Sequence, residues 1–237
     1  MTIEKVFFKS EGQRVAGMLH LPGNRNPPCV IASHGLLSSK DSDKYITLGE
    51  ALGKKGMALL RFDFRGCGES EGKLVENTVS GRIADLRSAI DFVKAHPKLA
   101  DRMGLLGSSL GGYVSLVLAS MERGVRASVI WSTPFHLDGL ESKQGTEDVP
   151  PLGKVFFEDL PKHRLLPLLP GISNCLVLHG EADETVPVNH AWEIFQGLGS
   201  PKEIHVIEGG DHRISNPVHR RRALDLSIAW FQKYLIG

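Results

Sequence analysis

Short apolar runs alternate with helix-like stretches from about residue 28 to the end of the chain. The runs are CVIAS, MALLRF, MGLLG, ASVIW, CLVLH and IHVIE, and they begin at residues 29, 57, 103, 127, 175 and 204. Nearly continuous apolar runs are typical of strands covered on both faces, and helices join parallel strands as right-handed crossovers. The sequence therefore predicts an α/β fold with a mostly parallel central sheet and helices on both of its faces.

The segments between the runs have the spacing expected of the connecting helices. Helical periodicity covers residues 43–54, 80–95, 110–123, 189–198 and 217–234. Before the first run, residues 6–9 and 14–21 flank the polar turn SEGQ, which predicts an antiparallel hairpin at one edge of the sheet.

Residues 132–174 form a proline-rich insert that is longer than one crossover helix requires. Long irregular insertions in compact domains are usually functional or mobile. We therefore expect a small cap or lid here, with a short helix near residues 153–160. With no repeat or low-complexity linker elsewhere, residues 1–237 are predicted to form one domain.

The composition excludes several classes of function. Hydrophobic residues make up 41% and charged residues 23%, as in soluble globular domains. Lys and Arg (28) nearly balance Asp and Glu (27), so no strong field would attract nucleic acid or an anionic membrane. The start of the chain lacks an export signal, no apolar stretch is long enough to span a membrane, and the three cysteines have no CxxC pair. We expect a cytoplasmic protein with reduced thiols, acting without nucleic acid or membrane.

The sharpest local motif is GSSLG at residues 107–111, which lies between a predicted strand and a predicted helix. A strand-to-helix turn at this place strains the backbone and projects the hydroxyl of Ser109 above the sheet. A lone GxSxG is weak, but the strand-turn-helix context predicts a nucleophile.

A serine hydroxyl needs a base, and the base needs an orienting carboxylate. Asp183 follows the strand CLVLH and His212 follows the last strand, in the chain order that this turn predicts. Asp159, Asp211 and Glu181 are the alternatives for the acid. Asp211 is too close to His212 in sequence to orient its ring, so Asp183 is preferred. The base is chosen from ten histidines, of which most fall within predicted strands and helices.

Several motifs occur in register with these residues. They are HG at 34–35, DFRGCGES at 63–70, GSSLG at 107–111, GEADETVP at 180–187 and GGDH at 209–212. On these motifs the chain resembles the α/β-hydrolase superfamily, and more narrowly the serine esterase, lipase and S33-peptidase-like group. It is also similar to cinnamoyl and feruloyl esterases.

The resemblance implies further roles. The backbone N–H groups of Leu36 and Leu110 would form the oxyanion hole, and His34 would shape the loop around Leu36. Asp63 and Arg65 would form an internal ion pair rather than act in catalysis. A substrate pocket is expected from Leu37, Trp131, Phe135 and His136, together with Leu36 and apolar lid residues. The lid candidates are Phe156, Phe157, Leu165 and Leu166.

A serine nucleophile in this family implies acyl transfer, and we expect hydrolysis of small-molecule esters of medium acyl or aryl-acyl groups. An amide or peptide hydrolase is the alternative, and it would need a carboxylate cluster for the substrate amine. Candidates for that cluster are Glu141, Glu147, Asp148, Glu158 and Asp159. A non-catalytic binding protein is a third reading. No cofactor and no metal is expected, and the oligomeric state stays open, a homodimer included.

Overall fold

The computed structural model describes residues 1–36, 38–138 and 152–237. A sheet of eight strands lies at its centre, in the order β1-β2-β4-β3-β5-β6-β7-β8. The strands are β1 Thr2–Ser10, β2 Gln13–Leu21, β3 Cys29–Ser33, β4 Ala58–Phe62, β5 Met103–Ser108, β6 Val125–Trp131, β7 Cys175–Gly180 and β8 Lys202–Ile207. In the order of the sheet, neighbouring strands from β4 through β3 to β8 are parallel, whereas β2 pairs antiparallel with both β1 and β4. The predicted sheet is confirmed.

Helices connect the strands of the parallel part. They are α1 Asp43–Lys54, α2 Val79–Ala95, α3 Leu110–Met121, α4 Lys154–Asp159, α5 Asn189–Gly197 and α6 Pro217–Phe231. Thr78 caps α2 by accepting a hydrogen bond from the N–H of Gly81, and Asn216 caps α6 in the same way through Val218. The predicted helices agree with these bounds within one to three residues.

The N-terminal hairpin turns at Glu11 and Gly12, which both have positive φ angles, 46° and 85°. Such a pair of left-handed residues closes a two-residue hairpin, and Ser10 faces Gln13 across it. The first strand starts at Thr2 rather than at residue 6. On this edge strand polar and apolar residues alternate, so the sequence lacks the continuous apolar run that marks the central strands.

Two apolar cores lie on opposite faces of the sheet. Leu86 and Ile90 of α2 join one core, and Leu52 of α1 and Phe231 of α6 join the other. Helices on both faces are therefore confirmed. The run IHVIE differs from the prediction, because β8 is an edge strand and most of its residues are only half-buried.

The insert packs onto the face that carries α2 and α3. Phe156, Leu160, Leu165 and Leu169 are all buried in the same core as these helices. The short helix predicted near residues 153–160 is present as α4, and two 3-10 turns follow at Leu160–Lys162 and Leu169–Gly171. The lid role and the single-domain organisation stay predictions. Within the described ranges, no helix has the length and apolarity needed to cross a membrane.

Candidate functional site

Ser109 occupies a strained turn between the end of β5 and the start of α3. Its φ of 54° and ψ of −126° lie outside the conformations that non-glycine residues favour. Its own N–H donates to the carbonyl of Trp131 at 2.8 Å, which fixes the turn to β6. Glycines make the turn possible, since a Cβ on Gly107 would collide with the carbonyl of Gly111, and one on Gly111 with that of Ser33. The hydroxyl is thereby presented at the carboxyl end of the sheet.

His212 meets Ser109 from the loop that follows β8. Its Nε2 lies 3.2 Å from the hydroxyl oxygen of Ser109, within hydrogen-bond reach. Its Nδ1 lies 2.9 Å and 2.8 Å from the two carboxylate oxygens of Asp183. With a proton on Nδ1 donated to the carboxylate, Nε2 is left as an acceptor for the serine proton. The residues selected from sequence spacing are thus brought into one hydrogen-bonded chain.

Asp183 is held as an anion by several donors. Burial alone would raise the pKa of this carboxyl group, but hydrogen bonds from His179, His212 and the N–H of Val186 outweigh it and hold the pKa well below its usual range. The N–H of Val186 reaches Oδ1 at 2.7 Å, and the N–H of Thr185 reaches the same oxygen at 2.9 Å. Asp183 therefore carries the negative charge that orients the His212 ring at neutral pH.

His179 is a contact that sequence reasoning missed. It lies at the end of β7, and its Nε2 is 3.2 Å from Oδ2 of Asp183 and 2.8 Å from the carbonyl oxygen of Val186. In the sequence it ends the predicted strand CLVLH, where a structural role is the default expectation for a histidine. The i, i+4 spacing from Asp183 was the available signal, although in a strand and loop that spacing does not by itself imply contact.

The loop that carries Leu36 runs directly against Ser109. A Cβ on Gly35 would lie 3.3 Å from the carbonyl oxygen of Ser108 and 3.3 Å from the Cβ of Ser109. Leu110 begins α3, so its N–H is one of the amides that a helix leaves without an internal acceptor. Across the described ranges, neither Leu36 N–H nor Leu110 N–H donates to a protein acceptor. Two amides are therefore available beside the serine hydroxyl.

His34 braces this loop from within the core. Its Nδ1 lies 2.7 Å from the carbonyl oxygen of Gly35, and its Nε2 accepts from the N–H of Phe64 at 3.1 Å. One ring nitrogen donates and the other accepts, so the ring is neutral in this position. Burial lowers the pKa of His34 to about 3, and nearby Arg82, Lys44 and Lys40 add to the effect. His34 thus connects the loop to the segment after β4, and both of its ring nitrogens are occupied by backbone groups.

Asp63 and Arg65 both form ion pairs, although not with each other. Asp63 lies 2.9 Å from the ammonium of the fully buried Lys40, which belongs to the loop after Leu36. Arg65 instead pairs with Asp85 on α2 and with Glu11 at the hairpin turn. The predicted ion pair between Asp63 and Arg65 is therefore wrong. Their long side chains reach partners on other elements, which sequence spacing does not reveal.

Buried neutral histidines predict a specific dependence of stability on pH. Burial and the neighbouring Arg61 lower the pKa of His20 to about 4, and that of His34 is lowered to about 3. The unfolded chain takes up protons at these residues below about pH 6.5 while the folded chain does not, so the free energy of unfolding rises with pH up to that value.

We expect the free energy of unfolding to fall by about 2 kcal/mol for each of these histidines between pH 7.5 and pH 5.0. Urea unfolding at the two values measures the change. His20→Gln, whose side-chain oxygen can still accept from Arg61, should remove the contribution of His20 to this loss of stability. Equal stabilities at pH 7.5 and pH 5.0 would contradict the assignment of two buried neutral rings.

Lys44 of α1 is a second contact that the sequence did not reveal. Its ammonium donates to the hydroxyl of Ser108 at 2.8 Å and lies over the rings of Tyr45 and Trp131, 5.2 Å and 5.7 Å from their centroids. Burial and the nearby Arg220 and Arg213 lower its pKa to about 8. A lysine in an amphipathic helix usually faces solvent, and no sequence signal marked this one.

The residues predicted to bind substrate fall into different places. Trp131 is buried in the core beneath α1 and α6, where its indole N–H donates to Ser227 at 3.1 Å, so it does not join the site. Phe135 and His136 remain partly exposed after β6, and the ring of His136 packs on that of His190 at 4.5 Å. Leu37 lies outside the described residues.

The four apolar residues expected from the lid, and Leu36 of the loop after β3, also fall into different places. Phe156 and Leu165 are buried in the core, Leu36 and Phe157 pack against it, and Leu166 is 63% exposed. Of these five residues, Leu36 and Phe157 are half-buried against the core, and no described residue of the insert contacts Ser109 by a hydrogen bond.

The alternative acids are all engaged elsewhere. Asp159 accepts from Ser80 and lies 3.0 Å from His163, where it fastens α4 to the start of α2. The carboxylates of Asp211 and Glu181 cap backbone N–H groups of Ser215 and Gly209. No group of three metal-binding side chains occurs among the residues that the structure describes.

Family models cover most of the chain. The model described as serine aminopeptidase, S33 matches residues 25–164, and the model of the prolyl oligopeptidase family matches residues 166–237. Among curated proteins, the chain is similar to the mitochondrial palmitoyl-protein thioesterase ABHD10 of Rattus norvegicus, with 29% identity over 212 residues. That alignment covers 79% of this chain and 69% of the relative.

Solved structures share the fold. Est1E from Butyrivibrio proteoclasticus, solved with ferulic acid, superimposes with a TM-score of 0.86 at 19% identity, covering 98% of this chain and all of the other. The esterase domain of a Rhodothermus marinus protein has a TM-score of 0.80 at 26% identity, covering 99% of this chain and all of that domain. The predicted fold class and the resemblance are therefore confirmed.

Proposed function

The chain belongs to the serine aminopeptidase (S33) family of α/β-hydrolases, and we propose that it hydrolyses carboxylic esters of medium acyl or aryl-acyl groups through an acyl-enzyme. The observation that carries the proposal is the continuous hydrogen-bonded chain Ser109–His212–Asp183, with Ser109 on a strained strand-to-helix turn. Strain stored at a serine next to a histidine is a recurring property of activated nucleophiles.

In the proposed first step, Nε2 of His212 removes the proton of Ser109 while the hydroxyl oxygen attacks the ester carbonyl carbon. The carbonyl oxygen becomes negative and accepts from the N–H groups of Leu36 and Leu110. His212 then gives the proton to the leaving alcohol. In the second step a water molecule loses a proton to His212 and attacks the acyl group. His212 returns that proton to the oxygen of Ser109 as it leaves, which releases the carboxylic acid and restores Ser109.

Asp183 acts in both steps through His212. Its carboxylate holds the proton on Nδ1 of the ring and stabilises the imidazolium that forms when Nε2 is protonated. Thr185 and Val186 fix the carboxylate by their N–H groups, so its position costs no rearrangement during the reaction. His179 adds a further contact to the same carboxylate.

Two other acyl substrates share this mechanism. A thioester is favoured by the similarity to a palmitoyl-protein thioesterase, because sulfur is a better leaving group and needs no different residue. An amide is favoured by the family description.

The carboxylates considered for holding a substrate amine give the amide little support. Glu158 is exposed and paired with Lys154, and Asp159 is bound to Ser80 and His163. Glu141, Glu147 and Asp148 lie outside the described residues.

Substrate panels separate these reactions. A series of p-nitrophenyl esters with increasing acyl length and with aryl-acyl groups is compared with acyl thioesters and aminoacyl arylamides. We expect the largest kcat/KM on esters of medium or aryl-acyl groups, with arylamides slowest. Preferential arylamide cleavage would contradict the ester proposal, and no turnover of any substrate would favour a binding protein. A small ester is the proposed partner, and a cytoplasmic location stays a prediction.

A further inference from the structure

Arg82 is a fully buried cation for which the described residues supply no ion pair. It lies in the first turns of α2 and is 0% exposed. Its Nε donates to Asn77 at 2.8 Å, and its guanidinium lies over the ring of Phe64 at 4.6 Å. Burial lowers the pKa of Arg82 and Asp85, one turn further along α2, acts to raise it, but the carboxylate of Asp85 pairs with Arg65 at 2.7 Å. Burying such a charge without an ion pair costs folding free energy, so packing alone does not account for an arginine here.

The forked end of Arg82 reaches the loop that carries Leu36. Its Nη1 lies 3.4 Å from the carbonyl oxygen of His34 and 3.5 Å from that of Gly35. The Gly35 oxygen also faces Nδ1 of His34 at 2.7 Å. Two donors, one of them charged, therefore converge on the carbonyl of Gly35 from the interior of the protein.

The geometry of the peptide group transfers this restraint to Leu36. The carbonyl of Gly35 and the N–H of Leu36 belong to one planar trans unit and point in opposite directions. Because Arg82 and His34 hold the oxygen on the interior side, the N–H is directed away from them. Gly35 packs against Ser109, so the loop is confined between the guanidinium and the nucleophile.

We propose that Arg82 is a positioning residue for the oxyanion hole. It holds the peptide between Gly35 and Leu36 so that the Leu36 N–H is presented to the substrate oxygen, and its positive charge polarises that peptide. This inference rests on the proposed function of Ser109. Arg82 touches neither substrate nor the reacting atoms, and it acts through the loop alone.

The role predicts a particular split between kinetic constants. An oxyanion donor acts on the transition state rather than on the bound ester, so its misplacement lowers kcat and leaves KM nearly unchanged. A trifluoromethyl ketone forms a tetrahedral adduct with a negative oxygen, and its affinity should fall by the same factor as kcat. If Arg82 were only structural, its substitution would change neither kcat nor the affinity for the ketone in the folded protein.

The test compares Arg82→Met and Arg82→Lys with Arg65→Met and Arg65→Lys. Arg65 bonds the same helix through Gly81 and Asp85 but contacts no carbonyl in the described part of the Leu36 loop. We expect Arg82→Met to lower kcat on a p-nitrophenyl ester and the affinity for the ketone by about 10-fold or more. Arg82→Lys should recover part of the loss, and both Arg65 variants should keep kcat within about 2-fold while lowering the melting temperature.

Unchanged kcat and ketone affinity in folded Arg82→Met would overturn the inference. Parallel losses in the Arg65 variants would also overturn it. If Arg82→Met does not fold, Asn77→Ala removes the acceptor that orients the guanidinium and should lower kcat in the same direction, by a smaller factor.

A spectroscopic readout separates this inference from the proposed function. If the wild type shows no ester turnover that depends on Ser109, the proposed function is wrong. The amide resonance of Leu36 in NMR spectra then still decides the role of Arg82. It should shift in Arg82→Lys and stay in place in Arg65→Lys, and an unchanged resonance in both variants would overturn the inference.

Discussion

Ser109→Ala should reduce kcat on a p-nitrophenyl ester by about 10⁴-fold or more, because among the described residues Ser109 is the one whose hydroxyl is hydrogen-bonded to Nε2 of His212. The oxyanion donors and the binding surface would remain, so a small rate above that of water is expected. The free energy of unfolding should stay close to that of the wild type or increase, because the substitution removes only one oxygen and the backbone strain at this position is unchanged.

The neighbouring serine offers a matched control. The hydroxyl of Ser108 accepts from Lys44 on the opposite side of the turn and does not reach His212. Ser108→Ala should therefore retain kcat within about 3-fold. If the two substitutions had equal effects on ester turnover, the hydroxyl of Ser109 would not be the nucleophile.

Asp183→Asn should reduce kcat by about 10⁴-fold while leaving the fold intact. The N–H groups of Thr185 and Val186 both require an acceptor at Oδ1. They would orient the new amide with its oxygen toward them and its NH₂ group toward His212. The ring would then accept at Nδ1 and carry its proton on Nε2, where it can no longer receive the proton of Ser109.

Asp211→Asn is the control for this change, because Asp211 precedes His212 directly and caps the N–H of Ser215. It should keep kcat within about 3-fold. The rate of Asp183→Asn is measured together with the pH profile of kcat/KM. A variant that retained wild-type rates near neutral pH would show that another group orients the His212 ring.

Much of the sheet could be predicted because its central strands are buried on both faces. The run CVIAS matches β3 in full, and MGLLG matches β5 except for its last residue. The positions of Asp183 and His212 followed from the same logic, since loops after parallel strands meet at one edge of the sheet. What the sequence could specify was the place of a residue along a strand or loop.

Side-chain direction and long-range partners could not be predicted in the same way. Trp131 ends a strand beside the site, yet its ring enters the core under α6. The next residue, Ser132, lies outside the strand. Successive residues of a strand point to opposite faces of the sheet, so a shift of one residue would place the ring of Trp131 on the other face. Arg82 and Lys44 likewise read as ordinary helix residues, because their partners, His34 after β3 and Ser108 at the end of β5, lie 48 and 64 residues away in the chain.

The most direct test of the central claim is mass spectrometry of the intact protein and its peptides after brief mixing with an excess of a slowly deacylated p-nitrophenyl ester. The account predicts one acyl group added to the peptide that contains Ser109, formed together with one equivalent of p-nitrophenol and absent from Ser109→Ala. Turnover without this adduct, or an adduct that persists in Ser109→Ala, would contradict an acyl-enzyme on Ser109.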